Sequence, residues 1–160
     1  MMKDIVTPSG FVNIEIHRAN GSVETISEPN AINQSIRNKL ATALQTTTTG
    51  VSPLASPVFD STAFSTPTNG QSGIYIVSSG GTKYEMETSL DTSGTLTFTT
   101  KGVVRAEASY TIASAKLGNN FQTSGSEFET IVSTKTFSSA ISLVDGDQLT
   151  ITWQLTIADN

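Results

Sequence analysis

Carboxylates, one histidine and a few aromatic residues are the side chains in this chain whose types and spacing suit chemistry. Asp145 and Asp147 flank Gly146 and present oxygens of the kind Ca²⁺ takes, but that ion needs about six to eight of them. Asp-Gly-Asp just before a strand is also ordinary turn chemistry, with Asp supporting local side-chain-to-backbone bonds, and the turn is the preferred reading. Glu127 and Glu129 share a strand face by their period of two, as do Glu85 and Glu87. Carboxylate pairs flanking a cleft hydrolyse glycosides. Glutamates at alternate positions on a wet strand are more often solvated, and they discourage edge-to-edge pairing.

His17 is the single histidine and there is no cysteine. The usual zinc sites and Ser-His-Asp triads therefore cannot be assembled within one chain. Gly70-Gln71-Ser72-Gly73 lacks the spacing of a nucleophile elbow, and no glycine loop with a phosphate-binding lysine is present. Tyr75 and Tyr84 flank Gly80-Gly81 and suit a cross-strand pair. Trp153 shares its face with Leu149, Ile151, Leu155 and Ile157, which places it in a core. Asn20-Gly21-Ser22 and Asn33-Gln34-Ser35 carry no weight as glycosylation sites without a secretory signal. No catalytic, cofactor-binding or metal-binding residue is expected, and no cofactor.

The elements that position these residues are mostly strands. Val12, Ile14 and Ile16 alternate with polar residues, Asn20-Gly21 is a strong hairpin signal, and residues 23–26 form the expected return strand. Pro29 is expected to stop the pairing. Asn30 or Asn33 then caps a helix whose apolar stripe is Ile32, Ile36, Leu40, Ala43 and Leu44. Residues 46–73, rich in Thr, Ser and Pro, read as a long loop or arm, suited to packing against a neighbour. From residue 74 onward strands and turns alternate. Strands are expected over 74–78, 84–88, 96–100 and 128–132, with a turn over 91–94. Val104, Ala106, Ala108, Tyr110 and Ile112 mark one face of a long strand. Phe137, Ile141 and Leu143 precede a closing strand from Leu149 to Ile157.

The expected fold is a single all-β domain, mainly an antiparallel β-sandwich or jelly-roll-like, with one N-terminal amphipathic helix. Its parts are a hairpin plus helix (1–45), an arm (46–73) and antiparallel strands (74–160).

Ser and Thr make up more than a quarter of the 160 residues, and charged residues only 14%. A formal charge of −5, with scattered lysines and arginines, argues against holding a nucleic-acid backbone. No apolar stretch is long enough to span a bilayer, and the N-terminus does not read as a signal peptide, so no membrane partner is expected.

Two passages carry a resemblance. Residues 12–27, then Pro29-Asn30-Ala31-Ile32 and the helix through Leu44, resemble the opening of small structural proteins of tailed bacteriophages. Residues 112–118, 128–136 and Val144-Asp145-Gly146-Asp147-Gln148-Leu149 with Thr152-Trp153 resemble the close of many phage virion proteins, where a G-D-x-L-x-[VI]-x-W strand finishes a β-sandwich. The arm of residues 46–73 has no counterpart there. The resemblance implies a non-enzymatic virion component of the neck, tail or capsid surface, made in the host cytoplasm, forming a homo-oligomer and meeting other virion structural proteins. It transfers no catalytic residue. A carbohydrate- or receptor-binding module, such as a tail-fibre or decoration domain with a host-surface glycan as partner, is the alternative. It needs groups such as Tyr75, Tyr84 and Asp91 together at one loop end. A third reading, a surface glycosidase, needs Glu127 or Glu85 as the acid.

Overall fold

The computed structural model describes residues 6–30, 64–91 and 97–159. The helix expected over Ile32 to Leu44 lies outside the described residues, and no helix occurs among them. The described residues form nine strands in two antiparallel sheets. The five-stranded sheet has the order β2-β1-β9-β6-β5, from β1 (Val6–His17), β2 (Val23–Asn30), β5 (Glu87–Asp91), β6 (Thr97–Arg105) and β9 (Gln148–Asp159). The four-stranded sheet has the order β4-β3-β7-β8, from β3 (Gly73–Ser78), β4 (Lys83–Glu85), β7 (Tyr110–Gln122) and β8 (Glu127–Leu143).

The alternation read in the sequence decides which face each strand buries. Val12, Ile14 and Ile16 of β1 and Leu149, Ile151 and Trp153 of β9 share one core cluster with Ile74, Ile76, Ile112, Leu117, Ile141 and Leu143 of the other sheet. One apolar layer between two sheets makes the arrangement sandwich-like. Trp153 is fully buried as expected. The closing strand lies at the centre of its sheet, paired with β1 on one side and β6 on the other.

Pro29 does not stop β2, contrary to the expectation. It sits in register opposite Phe11. Arg18 N donates to Ser22 O at 2.8 Å at the hairpin end. Antiparallel pairs alternate between bonded and non-bonded, so Val23, Thr25, Ser27 and Pro29 aim their backbone groups away from β1. A proline on that side of an edge strand loses no ladder bond.

Two expected strands are each divided where the chain changes sheet. Residues 84–88 split at the fully buried Met86, with β4 on one sheet and β5 on the other. The expected long strand from Val104 to Ile112 breaks after Arg105, and residues 106–109 carry the chain from β6 to β7. The residues before and after each crossing face the same core, which carries the apolar alternation across, although Ala108, expected on the buried face, lies within the second crossing and is exposed. Conversely, the strand expected over 128–132 and the apolar residues Phe137, Ile141 and Leu143 belong to one long β8. It absorbs extra residues where its register with β7 shifts, between Ile112 and Ser114 and again between Leu117 and Gly118.

The two sheets are fastened at both sides. On one side the chain itself passes through Met86. On the other, edge strands β2 and β8 face each other, where Lys135 pairs with Glu28 and Asn30 Nδ2 donates to Ser133 Oγ at 2.6 Å.

Candidate functional site

Two groups of charged side chains stand out among the described residues. The first joins the β1–β2 and β8–β9 turns at one end of the molecule. Asp147 has no exposed surface. Its Oδ1 accepts from Ala19 N at 2.9 Å, and its Oδ2 accepts from Arg18 Nη1 at 2.8 Å and Val144 N at 3.0 Å. Arg18 also donates from Nε and Nη2 to Glu24, at 2.8 and 3.1 Å, and from Nη1 to Ser142 O at 2.6 Å. Burial alone would raise the Asp147 carboxyl. The bonds from the two backbone amides and from Arg18 outweigh it and hold the group below the usual carboxylate range. Glu24 is lowered by the same guanidinium.

Donors therefore occupy the oxygens of Asp147 that a cation would need, and Asp145 is exposed. Among the described residues no group of three or more His, Asp or Glu is placed to hold a metal ion. Asp145-Gly146-Asp147 is a turn, with Gly146 at φ 89°.

The second group lies on the face of the four-stranded sheet turned away from the core. Register puts Tyr75 between Glu85 on β4 and Lys116 on β7. Tyr75, buried to 1% exposure, stacks on Phe128 with centroids 4.9 Å apart and meets Phe121 edge-on at 5.7 Å. Room for the Phe128 ring comes from Gly118, where a Cβ would fall 2.3 Å from its Cδ2. The Tyr75 hydroxyl donates to Glu127 Oε1, and Lys116 Nζ donates to Oε2 at 2.5 Å. Lys83 completes the group. Its Nζ donates to Ser126 O, lies 4.0 Å from Glu127 Oε2 and sits 5.3 Å from the Tyr75 ring centroid.

This setting decides what Glu127 can do. Burial would raise it, yet hydrogen bonds from Lys116, Tyr75 and Phe128 N hold it below the ordinary range. A general acid for glycoside cleavage needs the opposite shift. Burial and the bond to Glu127 push the Tyr75 hydroxyl up, so it stays a neutral donor.

The other candidate residues are dispersed. Glu129 is exposed and accepts from Asn120 Nδ2. Glu85 and Glu87 fall on different sheets because the chain crosses at Met86, so their period of two does not bring them together. Glu85 accepts from Ser65 Oγ at 3.0 Å. His17 lies beside Glu15 on a partly exposed strand face, 3.1 Å apart. Tyr75 and Tyr84 do not form one platform. Tyr84 turns toward the core side, against Phe64 and Tyr110, and Asp91 belongs to β5 of the other sheet. Of the expected arm, residues 46–63 lie outside the described residues, and Phe64 within it stacks on Tyr110 with centroids 3.9 Å apart.

Arg18, Lys83, Lys116 and Phe121 carry much of this geometry and were not singled out by sequence. Arg18 and Lys83 each lie two residues from a hairpin glycine pair or Asn-Gly pair, a faint local signal. The placing of Lys116 beside Tyr75 depends on strand register across 41 residues, which no local pattern encodes.

Beside Lys83 the structure opens a cavity of about 410 Å³ between the segment before β3, the β3–β4 turn and the β7–β8 turn. Hydrogen bonds hold its walls. Gly70 N donates to Phe121 O and Phe121 N to Gln71 O, both at 2.8 Å, and Thr123 N donates to Asn69 Oδ1 at 3.3 Å. Compared with protein-family models, curated proteins and solved structures, the chain matches none of them.

Proposed function

We propose that this chain is a non-enzymatic structural component of a tailed-bacteriophage virion, in the neck, tail or capsid surface, that assembles with copies of itself and with other virion proteins. The observation that carries the reading is the β2 edge of the five-stranded sheet, which no described residue pairs on its outer side. Every residue of β2 from Val23 to Ser27 is exposed. Val23 is 54% and Ile26 37% exposed, and Phe11 of the neighbouring strand is 42% exposed. An open strand edge with apolar side chains is a template for another chain. The edge is also limited. Pro29 offers no N–H, and the inward-facing Glu24 and Glu28 are engaged by Arg18 and Lys135. An added strand is thereby confined to the short run from Val23 to Ser27, which favours a defined contact over open-ended growth.

The sandwich-like frame and the resemblance of the opening and closing passages support the same reading. So does the use of Asp147 and Glu127 as fasteners, since both are held ionised by surrounding donors. The direct experiment is protein mass spectrometry of purified phage particles whose genome encodes the chain. The chain is expected in stoichiometric, repeated copy number. Its absence from intact particles would refute the virion assignment.

A further inference from the structure

We propose that the cavity beside Lys83 binds a carboxylated saccharide of about one sugar ring. Its volume of about 410 Å³ falls within the size range of small-molecule sites, about 300–1,000 Å³. Thr66, Thr82, Thr123 and Ser126 line it. Hydroxyl side chains both donate and accept hydrogen bonds, which matches the paired donor and acceptor character of sugar hydroxyls. Phe121, buried to 4% exposure and held edge-on against Tyr75, forms the floor beneath these hydroxyls.

Lys83 is the one charged residue among the described residues lining the cavity. Its ammonium has three donors. Ser126 O takes one, and Glu127 is 4.0 Å away while accepting a closer bond of 2.5 Å from Lys116. A cation so placed, in a chain of net charge −5, selects an anionic group on the ligand. The backbone favours a carboxylate over a phosphate. Gly81 N donates to Ser78 O, Thr82 N to Ser78 Oγ, Gly125 N to Gln122 O and Ser126 N to Thr123 O. No nest of free amides remains on these turns to surround a multiply charged group, whereas one ammonium matches one carboxylate. The site is distinct from the Tyr75, Tyr84 and Asp91 grouping suggested by sequence, since Tyr75 lies beneath it and the other two lie elsewhere.

The test is an NMR titration of the full chain with glucuronic acid, N-acetylneuraminic acid, glucose and inorganic phosphate. At least one of the acids is expected to shift the amides of residues 81–83 and 121–126 saturably, with glucose and phosphate much weaker. Lys83→Gln is expected to weaken acid binding by about tenfold or more, and Lys83→Arg to retain it. Thr123→Trp, at an exposed rim position, is expected to abolish binding without changing the melting temperature, and it keeps the test valid if the Lys83 variants fold poorly. Failure of both acids to bind, binding indifferent to Lys83→Gln and Thr123→Trp, or phosphate or glucose binding as tightly as the acids would each overturn the proposal. Binding in solution needs no assembled particle, so its outcome is independent of the virion reading.

Discussion

Asp147 illustrates how a single buried carboxylate holds two turns together. It receives the backbone amides that follow the β1 and β8 strands and the guanidinium of Arg18, which in turn holds Glu24. Removing one partner of a buried ion pair costs about 3–5 kcal/mol. Arg18 keeps 23% side-chain exposure, so Asp147→Ala is expected near the lower end, about 3 kcal/mol, read from urea unfolding. Asp147→Asn keeps one acceptor oxygen and is expected to lose less; equal losses would show that the charge and the bonds are not what matters. The pH dependence follows from the direction of the shifts. Asp147 and Glu127 sit lower in the folded state than unfolded. They add stability above the unfolded carboxyl values of about 4, and that stability disappears as pH falls through their lower folded values. Melting temperature is therefore expected to drop below about pH 4, with a shallower drop in Asp147→Asn. Parallel acid limbs in the two proteins would contradict this account.

At the scale of elements, Gly118 is the position where β7 allows an aromatic cluster to form on the outer sheet face. A Cβ there would also fall 2.7 Å from Thr130 O, a backbone atom with little freedom to move. Gly118→Ala is expected to destabilise by about 1–3 kcal/mol through overpacking and to displace the Phe128 ring from Tyr75. A neutral effect on unfolding, with unchanged aromatic-ring NMR contacts, would refute the packing argument. The same scale shows what the sequence made legible. Alternation in Val12-Asn13-Ile14-Glu15-Ile16 and Leu149-Thr150-Ile151-Thr152-Trp153 identified strands and their buried faces, because inner-facing residues must be apolar whichever strand lies beside them. The crossings at Met86 and after Arg105 were hidden, because the residues before and after each crossing face one core and the exposed Ala108 happens to continue the apolar alternation. Pro29 misled for a related reason. Its missing N–H matters only if it points at a neighbour, and edge position is a property of the sheet, not of the dipeptide. Turn glycines at 21, 81 and 146 were legible from composition, whereas the Tyr75–Glu127–Lys116–Lys83 group required register between distant strands.

For the whole molecule, two sheets share one core, the chain joins them through Met86, and side-chain pairs between β2 and β8 fasten the opposite side. Among the described residues, no strand lies beside the outward backbone of Val23, Thr25 and Ser27 on edge strand β2, next to exposed Val23, Ile26 and Phe11. Permanent interfaces between copies usually bury about 2,000 Å² or more of total surface, so the account requires that this edge and its surroundings be covered in the functional state. The most direct measurement is the mass of the purified protein by size-exclusion chromatography with light scattering, alongside Thr25→Pro, which removes a central outward N–H from the β2 edge. The account predicts a mass several times the 16.9 kDa of one chain, falling toward one chain in the variant while the fold persists. A concentration-independent 16.9 kDa species for the unaltered protein, or an oligomer untouched by Thr25→Pro, would contradict it.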